Sequence, residues 1–129
     1  MKSYLKLAGA CLNQTPIDWD GNLANIRNAI EEAKKEEVAV LCLPELCITG
    51  YGCEDLFLSN WLPETAIQNL LDLIPSTKGI AVAIGLPVRF QNAVYNTTCF
   101  VSDQQIKGFY AKQKLANDGV HYEPRWFRP

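Results

Sequence analysis

The run Val38-Ala39-Val40-Leu41-Cys42-Leu43, stopped by Pro44 and followed at once by Glu45, constrains this chain more than any other segment. It is short, partly β-branched and without alternation, so it reads as a strand covered on both faces. Such strands occur where helices pack on both sides of a sheet or where two sheets stack. Pro44 has no N–H to give a ladder and closes the run.

The rest of the chain arranges itself around that strand. Tyr4 to Leu12 reads as a first strand, ending in the turn-prone Asn13-Gln14-Thr15-Pro16. Asp18 to Gly21 is expected to be a loop, with Asp20 or Asn22 capping a helix that runs to about Lys35. Leu23, Ile26, Ile30 and Ala33 step by three and four and share its apolar face. Lys34-Lys35 followed by Glu36-Glu37 reads as a solvated helix end. A second helix is expected over Ala66–Ile74 through Ile67, Leu70, Leu71 and Ile74, bounded by Pro63 and Pro75. Gly79 to Leu86 reads as another buried strand closed by Pro87, and Val94–Val101 with Gln105–Ala111 as a hairpin across Ser102-Asp103-Gln104. This order predicts an α/β fold with an antiparallel portion.

With 129 residues, 48% hydrophobic and 20% charged, the chain has the size and composition of one soluble globular domain. Twelve Lys plus Arg against 14 Asp plus Glu give a net charge of −2, which offers no electrostatic case for nucleic acid or an anionic membrane. No apolar run approaches the roughly 20 residues a membrane helix needs, and the N-terminus is too alternating for a signal peptide. A cytoplasmic location is expected. The five cysteines, Cys11, Cys42, Cys47, Cys53 and Cys99, are odd in number and show no C-x-x-C spacing; they are expected to be small buried hydrophobes rather than disulfides or metal ligands.

Glu45 stands just past a strand's carboxyl end, where α/β folds gather their ligand sites. Beside so apolar a segment it should be partly desolvated, which would raise its proton affinity into the range of a general base; the plainer alternative is a cap on the turn Leu46–Gly50. Ile106, Gly108, Tyr110 and Lys112 share one strand face by alternation, which puts Lys112 at a strand end where it could meet Glu45 and stabilise an oxyanion. A merely exposed lysine is the alternative, and Lys114 is a competitor two residues on. His121, the one histidine, has no Ser or Asp at a triad spacing and reads as a loop residue. Gly79 and Gly85 do not form a phosphate-cradling loop.

Three blocks then carry a family resemblance. Leu43-Pro44-Glu45-Leu46-Cys47-Ile48-Thr49-Gly50-Tyr51 resembles the nitrilase-superfamily (carbon-nitrogen hydrolase) block around its catalytic glutamate, and its extension Glu54-Asp55-Leu56 resembles the glutaminase domains of NAD synthetases in particular. Leu12-Asn13-Gln14-Thr15-Pro16 with Asp18 and Gly21-Asn22-Leu23 is similar to their first strand and helix start. Tyr110-Ala111-Lys112-Gln113-Lys114-Leu115 with Asn117, Gly119-Val120, Glu123 and Trp126-Phe127 is similar to their lysine block. Ala116, Asp118 and Pro124 depart from that block.

The resemblance implies a nitrilase-type α-β-β-α sandwich of which residues 1–129 are the N-terminal part, a carbon-nitrogen hydrolase (glutaminase) domain truncated before its nucleophile. It implies Glu45 as general base, Lys112 rather than Lys114 as catalytic lysine, and Glu123 as a second, supporting glutamate. Tyr51 and Asp55 could shape the pocket, though loop packing is the plainer role for both. The family's nucleophilic cysteine comes after the lysine block, and Cys47 and Cys53 lie where the family does not place it. The implied reaction is hydrolysis of glutamine to supply ammonia to a C-terminal ATP-dependent synthetase domain that amidates deamido-NAD. ATP and Mg are expected there, with no cofactor in this segment, and a homo-oligomer is expected. A free-standing nitrilase-family amidase or carbamoylase and a non-catalytic nitrilase-like module are the rival readings.

Overall fold

The computed structural model describes residues 4–129. In chain order the elements are β1 (Leu7–Gly9), α1 (Trp19–Lys35), β2 (Val40–Cys42), α2 (Trp61–Leu73), β3 (Ala81–Phe90), β4 (Ala93–Ser102) and β5 (Gln105–Ala111), with 3-10 turns at Glu54–Leu58, Ile74–Thr77 and Glu123–Arg125. The strands form one sheet in the order β1-β2-β3-β4-β5. β1, β2 and β3 run parallel, while β3, β4 and β5 are antiparallel neighbours. A parallel pair needs a crossover connection, and α1 and α2 supply the two that the first three strands require.

Both helices lie on one face of the sheet. Leu23, Ile26, Ile30 and Ala33 of α1 and Ala66, Leu70 and Leu73 of α2 bury against Leu41, Val82, Ile84, Cys99 and Val101. The α1 stripe is as the three-and-four spacing predicts. On the other face Cys42, Phe100 and Tyr110 are exposed. β2 is therefore covered on one face rather than two, and the described residues form one helix layer on one sheet, two of the four layers of an α-β-β-α sandwich. Cys11 and Cys42 are exposed and Cys47, Cys53 and Cys99 buried, so the expectation of burial fails for the two that lie on β2's open face or just after β1.

Several boundaries move, each for a local reason. β1 holds three paired residues, not nine, because its only partner, β2, is itself three residues long. The N-cap of α1 is Asp18, whose side chain accepts from Gly21 N at 3.1 Å, not Asp20 or Asn22. Asn22 is instead buried, accepting from Thr15 N and donating to the Thr15 and Ile48 carbonyls. α2 starts at Trp61 and takes Pro63 into its first turn, where an N–H has no helical partner to lose. Its buried face runs through Leu62, Ala66, Leu70 and Leu73; Leu71 points to solvent. β3 continues through Pro87 to Phe90, because its pairing with β2 ends at Ala83 and the missing N–H falls on an open side.

β5 spans the seven residues its pattern predicts. The turns at Gln91-Asn92 and Asp103-Gln104 hold both residues at positive φ, matching the twist of the strands they join. A bulge in β5 shifts the register between Phe100↔Gly108 and Val101↔Ile106. That extra residue moves Ile106 to the face of Phe109, leaving Gly108, Tyr110 and Lys112 together on the other. No helix among the described residues is long and apolar enough to cross a membrane.

Candidate active site

Glu45 opens the turn that leaves β2. Leu43 N bonds Ala83 O at 3.0 Å and Ile48 N bonds Gly85 O at 3.2 Å, so both ends of the turn are tied to β3. Gly85 permits the approach: a Cβ there would stand 2.5 Å from Leu46 N and 2.6 Å from Pro44 O. Leu46, directly after Glu45, has φ 50° and is fully buried with Phe57, Leu62 and Phe127. A branched side chain in the left-handed region costs on the order of 1 kcal/mol and persists where packing holds it, so the backbone aiming Glu45 is fixed from the residue behind.

Lys112 follows β5, its N bonded to Asn96 O at 2.8 Å. Its Nζ lies 2.8 Å from Glu45 Oε1 and 3.0 Å from Glu123 Oε1. The acid and amine read from two distant blocks thus meet, with Glu123 as a second carboxylate. Lys114 is exposed. Glu123 is buried and fully engaged: Oε1 also accepts from Tyr51 Oη at 2.9 Å and Oε2 accepts from Ala116 N at 2.8 Å. Glu45 has 41% of its side chain exposed, on a face of β2 that no second layer covers among the described residues.

The electrostatics follow from this geometry. Burial alone would raise the Glu123 carboxyl, but the Ala116 N–H, the Lys112 ammonium and the Tyr51 hydroxyl outweigh it and hold it below its ordinary value. Desolvation pulls Lys112 down, yet bonds to both carboxylates prevail and raise it, so it stays an ammonium. Burial and the Glu123 carboxylate push the Tyr51 hydroxyl up, which keeps it a donor.

Around this cluster lies an open cleft of about 330 Å³ lined by Glu45, Tyr51, Lys112, Ala116, His121 and Glu123, within the roughly 300–1,000 Å³ of small-molecule sites. His121 stands edge-on to Tyr51, ring centroids 6.4 Å apart. Asp55 shapes the site from outside: its carboxylate holds Arg125 Nε and Nη2 at 2.6 and 2.7 Å and Trp126 Nε1 at 3.0 Å, clamping the segment that carries Glu123 onto the Tyr51 loop. Phe127 stacks at 4.9 Å on Phe57 beneath it. Asn96, which the sequence reading passed over, donates from Nδ2 to Glu45 Oε1; an Asn inside a strand, where Asn is depleted, was the available signal.

No group of three or more metal-ligating side chains exists among the described residues. Gly85 serves the close approach of the Glu45 turn. Cys47 is buried with its thiol pushed up to about 12 by desolvation, and burial raises Cys53 and Cys99 as well.

The site thus combines a buried glutamate, a lysine held between two carboxylates and a sheet with parallel crossovers. The carbon-nitrogen hydrolase family profile matches residues 6–129, and the chain belongs to that family. Among curated relatives, the glutamine-dependent NAD(+) synthetase of Oryza sativa subsp. indica is 42% identical over 125 residues, covering 95% of this chain and 17% of its own length. The Homo sapiens glutamine-dependent NAD(+) synthetase is 36% identical over 131 residues, with 100% and 19% covered. The chain therefore spans under a fifth of these relatives. The crystal structure of a glutamine-dependent NAD(+) synthetase from Cytophaga hutchinsonii superposes with a TM-score of 0.95 at 56% identity, covering 98% of this chain and 22% of that one. An amidase from Nesterenkonia shares the fold at a TM-score of 0.82 and 21% identity.

Proposed function

We propose that residues 1–129 are the N-terminal part of a glutaminase domain that hydrolyses the side-chain amide of glutamine and supplies ammonia for NAD synthesis. The observation that supports this reading is the Glu45–Lys112 contact at 2.8 Å, made by strand ends 67 residues apart, in a chain whose relatives are named glutamine-dependent NAD(+) synthetases.

In this scheme Glu45 takes the proton of a cysteine thiol. The thiolate attacks the amide carbon, and Lys112 donates to the oxyanion that forms. Glu45 returns the proton to the departing nitrogen, releasing ammonia and leaving a thioester. It then takes a proton from water, which attacks the thioester and releases glutamate and the thiol. Glu123 and Tyr51 hold Lys112 charged and aimed. The attacking thiol comes from outside residues 1–129, as the family resemblance implies. ATP and Mg are used in a separate synthetase domain that amidates deamido-NAD, in a cytoplasmic homo-oligomer.

The test is glutamine turnover by the full-length protein and its Glu45→Gln variant. Loss of the base should cost about 10²–10⁴-fold in kcat. Equal turnover by the two would refute the reading, and glutamine hydrolysis by the 129-residue chain alone would refute the placing of the nucleophile outside it.

A further inference from the structure

Glu45 carries two oxygens, and the structure treats them differently. Both of its donors, Lys112 Nζ and Asn96 Nδ2, meet Oε1. Among the described residues no donor meets Oε2. The terminal torsion of a glutamate is broad and roughly two-fold, so one contact does not decide which oxygen faces the substrate. Lys112 is a poor candidate to decide it alone, since an ammonium on a four-carbon stem presents three rotatable donors and constrains direction weakly. Asn96 differs. It is 4% exposed, sits within β4 opposite Pro87, and carries its amide on a single methylene from a paired backbone. The same residue's carbonyl receives the Lys112 N–H. One residue therefore sets the rotation of the acid and the backbone position of the amine.

We propose that Asn96 is a positioning residue that pins Oε1 of Glu45 together with Lys112, leaving Oε2 as the oxygen that accepts and returns the proton. Oε1 already accepts from two donors while Oε2 stays open, so the proton is directed to Oε2 and the Lys112 bond need not break when it arrives. The inference rests on the glutaminase reading above. The groups facing Glu45 from the elements around it are Cys42, Tyr51, Tyr110, Lys112, His121 and Glu123; of these, Lys112 is the cation bonded to it and Glu123 shares that cation.

The experiment uses the full-length protein with Asn96→Leu, which fills similar space without a donor, and Asn96→Asp, which sets a second carboxyl against Glu45. Asn96→Leu should lower kcat for glutamine about 10- to 100-fold, the loss that a misplacement near 1 Å brings, with KM little changed. Asn96→Asp should move the acid limb of the kcat/KM profile to higher pH, because two adjacent carboxyls share a proton. If Asn96→Leu does not fold, the near-isosteric Asp variant carries the test. A merely structural Asn96 would reduce the folded fraction and leave the limb in place. Wild type active, with both variants keeping kcat and the acid limb, overturns the role of Asn96 alone. Wild type without glutamine turnover overturns the glutaminase reading and this inference with it.

Discussion

Replacing Glu123 by Gln keeps the shape of the side chain and removes its charge, and the structure fixes what that costs. Its two oxygens accept three bonds: from Lys112 Nζ, from Tyr51 Oη and from Ala116 N. A glutamine has one acceptor oxygen where the glutamate has two, so its NH₂ must oppose either Ala116 N–H or the Lys112 and Tyr51 donors. Leaving one buried donor unsatisfied costs about 1–3 kcal/mol. Lys112 also loses one of its two counter-charges but keeps Glu45 at 2.8 Å, so the total should lie near the upper end of that range, about 3 kcal/mol. Glu45→Gln is the internal control. Its side chain is 41% exposed and Lys112 keeps Glu123, so its loss should stay within about 1 kcal/mol.

Urea unfolding of the full-length protein, followed by tryptophan fluorescence, reads the difference. The pH dependence has a definite sign. Glu123 is held below its ordinary value near 4.5, so its contribution is complete above that value and declines as pH falls through the lower, folded one. Lys112 is raised from 10.5, so its contribution is complete below that value and declines only as pH rises through the higher, folded one. At pH 7 both are complete, and the gap between wild type and Glu123→Gln should narrow on acidification below about pH 4. Equal destabilisation by Glu123→Gln and Glu45→Gln would refute the assignment of Glu123 as the buried anchor of Lys112.

Two further outcomes follow from the same geometry. Gly85→Ala drives a Cβ into the backbone of the Glu45 turn and should cost about 1–3 kcal/mol with a matching loss of glutamine turnover; a wild-type unfolding midpoint and rate would disprove the close-approach account. Asp55 is held down to about 2 by Arg125 and Trp126, so the clamp is complete above the ordinary aspartate value and loosens only as pH falls toward 2. Asp55→Asn should speed amide hydrogen exchange across residues 123–128 at pH 7, and unchanged exchange there would show that Phe127 alone secures the segment.

What was legible in the sequence was set by local chemistry. The α1 stripe and β5 came out as their periods dictate, because amphipathic spacing and turn residues act within a few positions. The misreadings at Pro63 and Pro87 share one cause. Proline was taken as a stop, whereas its effect depends on whether the lost N–H had a partner, and that is decided by the helix start in one case and by the short length of β2 in the other. Ile106 changed face through a bulge that alternation cannot foresee. At the site, Glu45 and Lys112 were recognisable by block resemblance, but Asn96 was not, since its significance lies in a contact with a residue 51 positions away. How far Glu45 is enclosed was not legible from its chain neighbours, because the enclosure of a side chain depends on which layers cover it.

The proposed reaction also depends on the balance of charge within the cluster. Two carboxylates and one ammonium sum to a single negative charge. When Glu45 takes the thiol proton, that charge moves onto the thiolate and the cluster becomes neutral, so no new net charge is created in the site. Lys112 keeps its bond to Oε1 as the proton arrives at Oε2, and buried Glu123 anchors it at 3.0 Å. Glu45 and Glu123 engage two of the three Nζ donors, and the third is left to meet the oxyanion. Base and oxyanion stabiliser are coupled through their shared contact.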